Sequence, residues 1–270
     1  MKPDISARLA SLFGMFFACA LVASASSAAE QGVQTHIHSD MALAKAFRAR
    51  SAWHLVVTQG PPVDEAGGAD LGPSPGAVTL CLRKAVGDRC DPGLRADPSP
   101  ADSGKSHFLD EARLVYPRGK SEAPLLLLRT ATLAMFNGDQ GEFTQLFAYR
   151  PASDRFEQVY RFVTSHNNNQ EVRFVASGPL AGSMISADPT GGAPFGYWVT
   201  VSRLDRGYRY RQVLRYRSAT RYADGNMLAV IDSEMPNIQQ RLGLWKPGAA
   251  MPLPPHCPHP RLIHTALWCN

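Results

Sequence analysis

Beyond residue 23 this chain has no apolar run of transmembrane length, so the expectation is a mature chain without a membrane-spanning helix. It also has no G-x-S-x-G elbow, no H-E-x-x-H, no Walker A loop and no G-x-G-x-x-G. These absences exclude the local signatures of serine hydrolases, zinc peptidases, P-loop nucleotide enzymes and dinucleotide binders. A dispersed triad needs no local motif, so they argue against an enzyme without excluding one. No period repeats along the chain. No motif asks for a cofactor or a metal, and EF-hand spacing is missing.

Cysteine is scarce, with five in 270 residues, and one of them lies in the N-terminal apolar segment. That segment is the clearest functional signal. Lys2 and Arg8 precede the apolar run 9–23, LASLFGMFFACALVA, and small residues follow from Ser24 to Ala29. This is the pattern of a secretory signal peptide, with cleavage after Ala25 or Ala29. Cys19 belongs to the signal, because Phe16 and Phe17 before it do not fit a lipoprotein site. The expected organisation is a signal peptide over 1–29 and one mainly-β domain over 30–270, with long loops at 60–76 and 91–106. The expected compartment is the periplasm or the outside. Cleavage removes Lys2, Arg8 and Asp4, so the net charge falls by one from +5. That mild excess suits an anionic envelope polymer or an acidic protein as partner and does not require nucleic acid.

Export leaves Cys81, Cys90, Cys257 and Cys269, an even set in an oxidising compartment. Three pairings are open. Cys81–Cys90 and Cys257–Cys269 are favoured because each closes a short loop, and the second would staple the C-terminal tail.

The apolar content of 44% supports a real core. Residues 40–50, DMALAKAFRAR, read as a short helix with Asp40 as N-cap and Met41, Leu43, Ala44 and Phe47 on one face. Strands are expected at 53–59, 78–84, 112–116 and 124–135. Hairpins are expected over 143–164 and 195–217, turning at Pro151–Asp154 and Asp205–Gly207. Further strands fall at 171–176 and 180–186. A second helix is expected over 232–243, with Asp232 or Ser233 as cap, Pro236 in the first turn and Gly243 as stop. The proline-rich 246–260 should lie extended over the surface. Short strands with turn signals every 8–12 residues predict an antiparallel meander forming a sandwich, a barrel or a propeller-like sheet, with two short helices.

Several surfaces could carry function. In 208–217, YRYRQVLRYR, alternation puts Arg209, Arg211, Arg215 and Arg217 on one strand face with Val213, and Tyr208, Tyr210, Leu214 and Tyr216 on the other with Gln212. Such an arginine face can hold an anionic ligand through bidentate pairs. The plain alternative is a solvated face whose arginines pair with Glu and Asp on neighbouring strands. The loop SHNNNQE gathers His166, Asn167, Asn168 and Glu171. It reads first as a strand connection, with asparagines tolerant of left-handed backbone. As a ligand site it would use Asn167, Asn168 and Glu171, and with His166 or Glu171 in a cleft it would suit an envelope hydrolase acting on glycan or peptide. His36, His38 and Asp40 have metal-ligand spacing in a strand but no clear further ligand. His256, Cys257 and His259 form a similar group, which a disulfide at Cys257 would disable. FNGDQGE (136–142) and YADGN (222–226) carry oxygen donors but read as turns.

The run NNNQEVRFV, followed by PFGYWVTVSRL, YRYRQVLRYRSATRYADGN and IDSEMPNIQQRLGLW, resembles uncharacterised exported proteins of Gram-negative bacteria across the C-terminal half. No activity is assigned to them, so the resemblance implies export and gives no residue a role. The hairpin LFAYRPASDRFEQVY is similar in style to β-propeller blades, without their repeated metal-binding Asp pattern. The sequence therefore favours a non-enzymatic binding protein of the envelope. A hydrolase or a structural or assembly component stands as the alternative.

Overall fold

The computed structural model describes residues 36–63, 73–85, 89–91, 105–134, 138–165, 169–192 and 195–269. The chain divides into Met1–Gly32, which holds the whole expected leader and lies outside the described residues, and Val33–Asn270, to which everything below belongs.

Three antiparallel meanders follow one another. The first pairs β1 (His36–Ala42), β2 (His54–Gln59) and β3 (Val78–Arg83). The second runs through β4 (Phe108–Val115), β5 (Leu125–Ala131), β6 (Gly141–Arg150) and β7 (Arg155–Ser165). The third runs through β8 (Glu171–Phe174), β9 (Met184–Pro189), β10 (Tyr197–Leu204) and β11 (Tyr210–Arg217). Each sheet is open, with strands in sequence order. The mainly-β antiparallel expectation is met, sandwich-like and without barrel closure.

The sheets stack through their side chains. Leu55, Val57, Leu80 and Leu82 of the first sheet pack with Leu126, Leu128, Phe147 and Phe156 of the second. Leu125, Leu127, Leu146 and Ala148, from the opposite face of the second, pack with Val172 and Met184 of the third. This explains the run of four leucines in β5. A strand covered on both faces reads as continuously apolar instead of alternating. The far side of the third sheet carries Ile185, Ala187, Tyr197, Val199, Val201 and Tyr216, and is covered by Val230, Ile231 and Ile238 of α2 (Val230–Arg241). A close approach between the second and third sheets needs glycine. Gly182 has φ +76, a Cβ there would lie 2.1 Å from the Pro117 carbonyl oxygen, and the Tyr210 hydroxyl donates to the Gly182 carbonyl at 2.9 Å.

Both favoured disulfides are present, Cys81–Cys90 and Cys257–Cys269. Three local expectations are corrected. The helix over 40–50 shrinks to α1 (Ala44–Phe47), because Asp40 and Met41 pair with Val56 and Leu55 in a strand ladder. Helical spacing of the apolar residues loses to that pairing. The second helix starts earlier, with Ala229 as N-cap and no side-chain cap of its own, so Pro236 lies inside it. After the extended proline-rich stretch the chain also forms a hairpin, β12 (Pro260–Ile263) with β13 (Ala266–Cys269), which the sequence reading did not include. Proline is tolerated as the first residue of its strand. Within the loop expected over 60–76, Val63 and Ser74 form a bridge, and 64–72 lie outside the described residues. Most of 91–106 does too.

Candidate functional site

The arginine strand is where the structure changes the reading most. Val201 pairs with Leu214 and Ser202 with Gln212, which leaves Val213 as an extra residue, a β-bulge. One inserted residue reverses side-chain parity beyond it. Tyr210 accordingly packs between the second and third sheets, while Leu214 and Tyr216 pack against α2. The four tyrosine and leucine positions therefore do not share a face, and neither do the four arginines.

Two of those arginines serve the fold. The Arg209 guanidinium pairs with Glu157 of β7, which also takes Arg150. Arg211 Nε lies 3.2 Å from Asp205 Oδ2. The Arg209 amide, first, and then Arg211 hold the Asp205 carboxyl below its usual range, although it is exposed. Arg150 also donates to the Gly207 carbonyl at 2.9 Å, so this cluster ties the β10–β11 turn to the second sheet. For these residues the paired-arginine alternative describes the molecule.

Arg215 and Arg217 differ. Arg217 lies opposite Trp198, and Trp198 lies opposite Asp188. Arg215 lies opposite Thr200, and Thr200 opposite Ser186. Two rows of three residues thus share one face of β9, β10 and β11. It is the same face as Met184, which packs onto the second sheet. The Arg215 guanidinium carbon sits 4.7 Å from the Trp198 ring centroid, a cation–π contact, and the indole remains 38% exposed. Neither Arg215 nor Arg217 forms a salt bridge with a carboxylate among the described residues.

Asp188 is the most unusual member. It is half-buried, and its carboxyl makes no hydrogen bond or ion pair among the described residues. Burial pushes its carboxyl above the usual range, and the Arg215 charge opposes that. Tyr160 of β7 belongs to the same neighbourhood, since its phenol is raised by burial and then by the Asp188 charge. The Tyr160 ring meets Phe162 at 6.4 Å and Tyr210 at 5.4 Å. A half-buried acid with raised proton affinity, beside aromatic rings and an arginine, makes this face a candidate binding site. Asp188 falls between the strand expected at 180–186 and the hairpin expected from 195, and sequence reasoning gave it no role. Its place opposite Trp198 is set by strand register, which no local motif encodes.

Glu171 has a different task from the one the sequence offered. One of its oxygens accepts the Ile231 amide at the start of α2, and the other lies 3.1 Å from Arg173. Arg173 in turn holds Asp232 at 3.1 Å. Glu171 therefore caps, from a neighbouring strand, a helix that lacks its own cap. Burial nonetheless raises its carboxyl, with the Ile231 amide and Arg173 opposing. Asn167, Asn168 and His166 lie outside the described residues. Asn169 has φ +52, the left-handed backbone expected of asparagine in this connection.

Two polar hubs were invisible in the sequence. Asp154, read only as a turn residue, accepts from Ser51 at 2.6 Å, Tyr149 at 2.8 Å, and Trp53 and Lys84 at 2.9 Å each. Glu234 of α2 is fully buried. It accepts from the Tyr216 hydroxyl at 2.8 Å, the Thr220 hydroxyl at 2.7 Å and amide at 3.0 Å, the Ala219 amide at 3.1 Å and Asn237 at 3.0 Å. With every lone-pair direction used, Glu234 fixes the 218–220 turn onto α2. The other sequence candidates are structural or incomplete. Asp40 faces His54 at 2.9 Å. Cys257 is in its disulfide. Asp224 accepts the Arg221 and Asn226 amides of its own turn. No group of three His, Cys, Asp or Glu able to hold a metal occurs among the described residues.

Comparison with protein-family models, with curated proteins and with solved structures finds no significant match for this chain.

Proposed function

We propose that this protein is an exported, non-enzymatic binding protein of the cell envelope, and that Arg215 and Arg217 beside Trp198 hold its anionic ligand. One observation carries the reading: of the four arginines in this strand, these two form no salt bridge with a carboxylate among the described residues, whereas Arg209 and Arg211 do. Guanidinium groups not held in a salt bridge keep their forked donors for a carboxylate or phosphate brought by a ligand. Export is supported by the signal-like residues 1–29 and by two disulfides, which persist in oxidising compartments. No described helix is long and apolar enough to cross a membrane. The hydrolase reading loses support at Glu171, whose two oxygens are committed to the helix amide and to Arg173.

The test is titration of the mature protein with two polyanions, polygalacturonate and inorganic polyphosphate, at low and at physiological salt. Binding should weaken with salt, and Arg215→Glu with Arg217→Glu should abolish it for at least one polyanion while the thermal midpoint stays within a few degrees. Unchanged binding of both by the double variant would remove this surface from consideration.

A further inference from the structure

The anion reading leaves Asp188 unexplained. A surface that only attracts negative charge gains nothing from a carboxylate beside its two arginines, since like charge repels the ligand. Yet Asp188 stands in the same row as Trp198 and Arg217. It is half-buried, and no donor among the described residues satisfies it. A half-buried carboxylate is partly stripped of water yet still within reach of solvent, so a hydrogen-bond donor on a ligand can take the place of that water. The face therefore asks three things of its occupant: an anionic group for the guanidinium pair, hydroxyl donors for the carboxylate, and an apolar flank for the indole. A phosphate chain brings only the first. A neutral sugar brings the second and third. A sugar chain that carries carboxylates brings all three.

We propose, resting on the reading that Arg215 and Arg217 hold an anion, that this face is a subsite for an acidic polysaccharide of the uronic-acid type. The sugar carboxylate pairs with Arg215 and Arg217, ring hydroxyls donate to Asp188, and an apolar sugar face lies on Trp198. Thr200, at the centre of the second row, offers a further hydroxyl, whereas Ser186 beside it is buried and faces Tyr160. Tyr160 of the second sheet stands beside Asp188.

The experiment uses the full mature chain and three probes by isothermal titration: polygalacturonate, inorganic polyphosphate and poly-glutamate. Polygalacturonate should bind tightest. Asp188→Asn, which keeps the side-chain shape, should weaken polygalacturonate about ten-fold, the effect of losing one hydrogen bond to a charged group. It should leave polyphosphate unweakened, because removing a negative charge cannot hurt a ligand that brings only acceptors. Trp198→Ala, at an exposed position, should likewise weaken polygalacturonate and spare polyphosphate. The sugar assignment is overturned if Asp188→Asn tightens all three probes alike, or if polyphosphate or poly-glutamate binds more tightly than polygalacturonate to the wild type. Those outcomes leave the anion site standing. Failure of all three probes to bind the wild type overturns the anion site itself.

Discussion

The indole nitrogen of Trp53 donates to Asp154 Oδ1 at 2.9 Å, across a separation of 101 residues. This bond joins the entry to β2 in the first sheet with the β6–β7 turn of the second. Trp53 is 2% exposed, so its N–H has no ready alternative in water. Ser51, Tyr149 and Lys84 complete the hub, and Lys84 also lies 5.3 Å from the Trp53 ring.

Asp154→Ala should therefore destabilise the protein by about 3 kcal/mol, since it leaves a buried indole N–H unpaired and removes an ion pair. Acid should reproduce part of this loss. The Ser51 hydroxyl, ahead of Lys84, Trp53 and Tyr149, holds the Asp154 carboxyl well below the usual range against the opposing effect of burial. The folded value thus lies below the unfolded one of about 3.9. The stabilisation is complete above the unfolded value and declines as pH falls below it toward the folded value. Urea midpoints at neutral pH and near pH 3 should converge for wild type and Asp154→Ala. A gap of equal size at both pH values would contradict the assignment.

What the sequence disclosed follows what is local. The hairpins at Pro151–Asp154 and Asp205–Gly207 were legible because turn chemistry and flanking alternation sit within twenty residues of each other. The two disulfides were legible because each closes a short loop. Asp154 itself was legible only as a turn residue, since its donors come from positions 51, 53 and 84. The same limit hid the cap on α2, which Glu171 supplies from β8, and the row that sets Asp188 beside Trp198. The Asp40 segment misled for a related reason: its apolar residues satisfy helical spacing, but their partners in β2 decide the outcome.

Glu171 yields a pH dependence of opposite sign. Burial, the largest influence, raises its carboxyl in the folded protein. A carboxyl raised on folding favours the folded state most below its unfolded value of about 4.3. That advantage fades as pH rises through the folded value. Glu171→Gln keeps an acceptor for the Ile231 amide and removes this dependence, so the decline in stability as pH rises from about 4 should shrink. Glu171→Ala should cost about 1 kcal/mol at low pH, the usual loss of a helix cap, and less as pH rises through the folded value. Equal pH slopes for wild type and Glu171→Gln would rule out the role given to burial.

The Cys257–Cys269 disulfide holds the β12–β13 hairpin, whose Leu267 carbonyl accepts from Asn226 at 2.8 Å and from Ser233 at 3.0 Å. The hairpin thus covers the buried polar groups of α2. Replacing both cysteines by serine should lower stability by about 3 kcal/mol, the loop-closure value for a ring of this length. The loss should centre on this end of the molecule. Limited proteolysis should cut first between 246 and 265 in the variant, and hydrogen exchange should rise in α2 before it rises in β5 or β6. Uniform loss of protection across all three sheets would show that the staple acts on the whole fold.

The bulge at Val213 gives the most direct test of the site, because it separates side-chain identity from strand parity. Val213 is 46% exposed, so Val213→Ala removes little packing and should change stability by less than about 0.5 kcal/mol. Deleting Val213 is a different perturbation. With the bulge gone, either the residues before it or those after it must exchange faces. If Leu214–Arg217 turned over, Tyr216 would leave α2, its hydroxyl would lose Glu234, and the fully buried Glu234 carboxylate would lose a donor. If Tyr210–Gln212 turned over, Tyr210 would leave the packing between the second and third sheets and release the Gly182 carbonyl. Either way a large aromatic residue leaves a core, a loss of about 3–5 kcal/mol. The deletion should therefore unfold or nearly unfold the protein in a urea titration, while the alanine variant matches wild type. A well-folded deletion variant that retained polyanion binding would mean that the bulge does not set which arginines face the ligand.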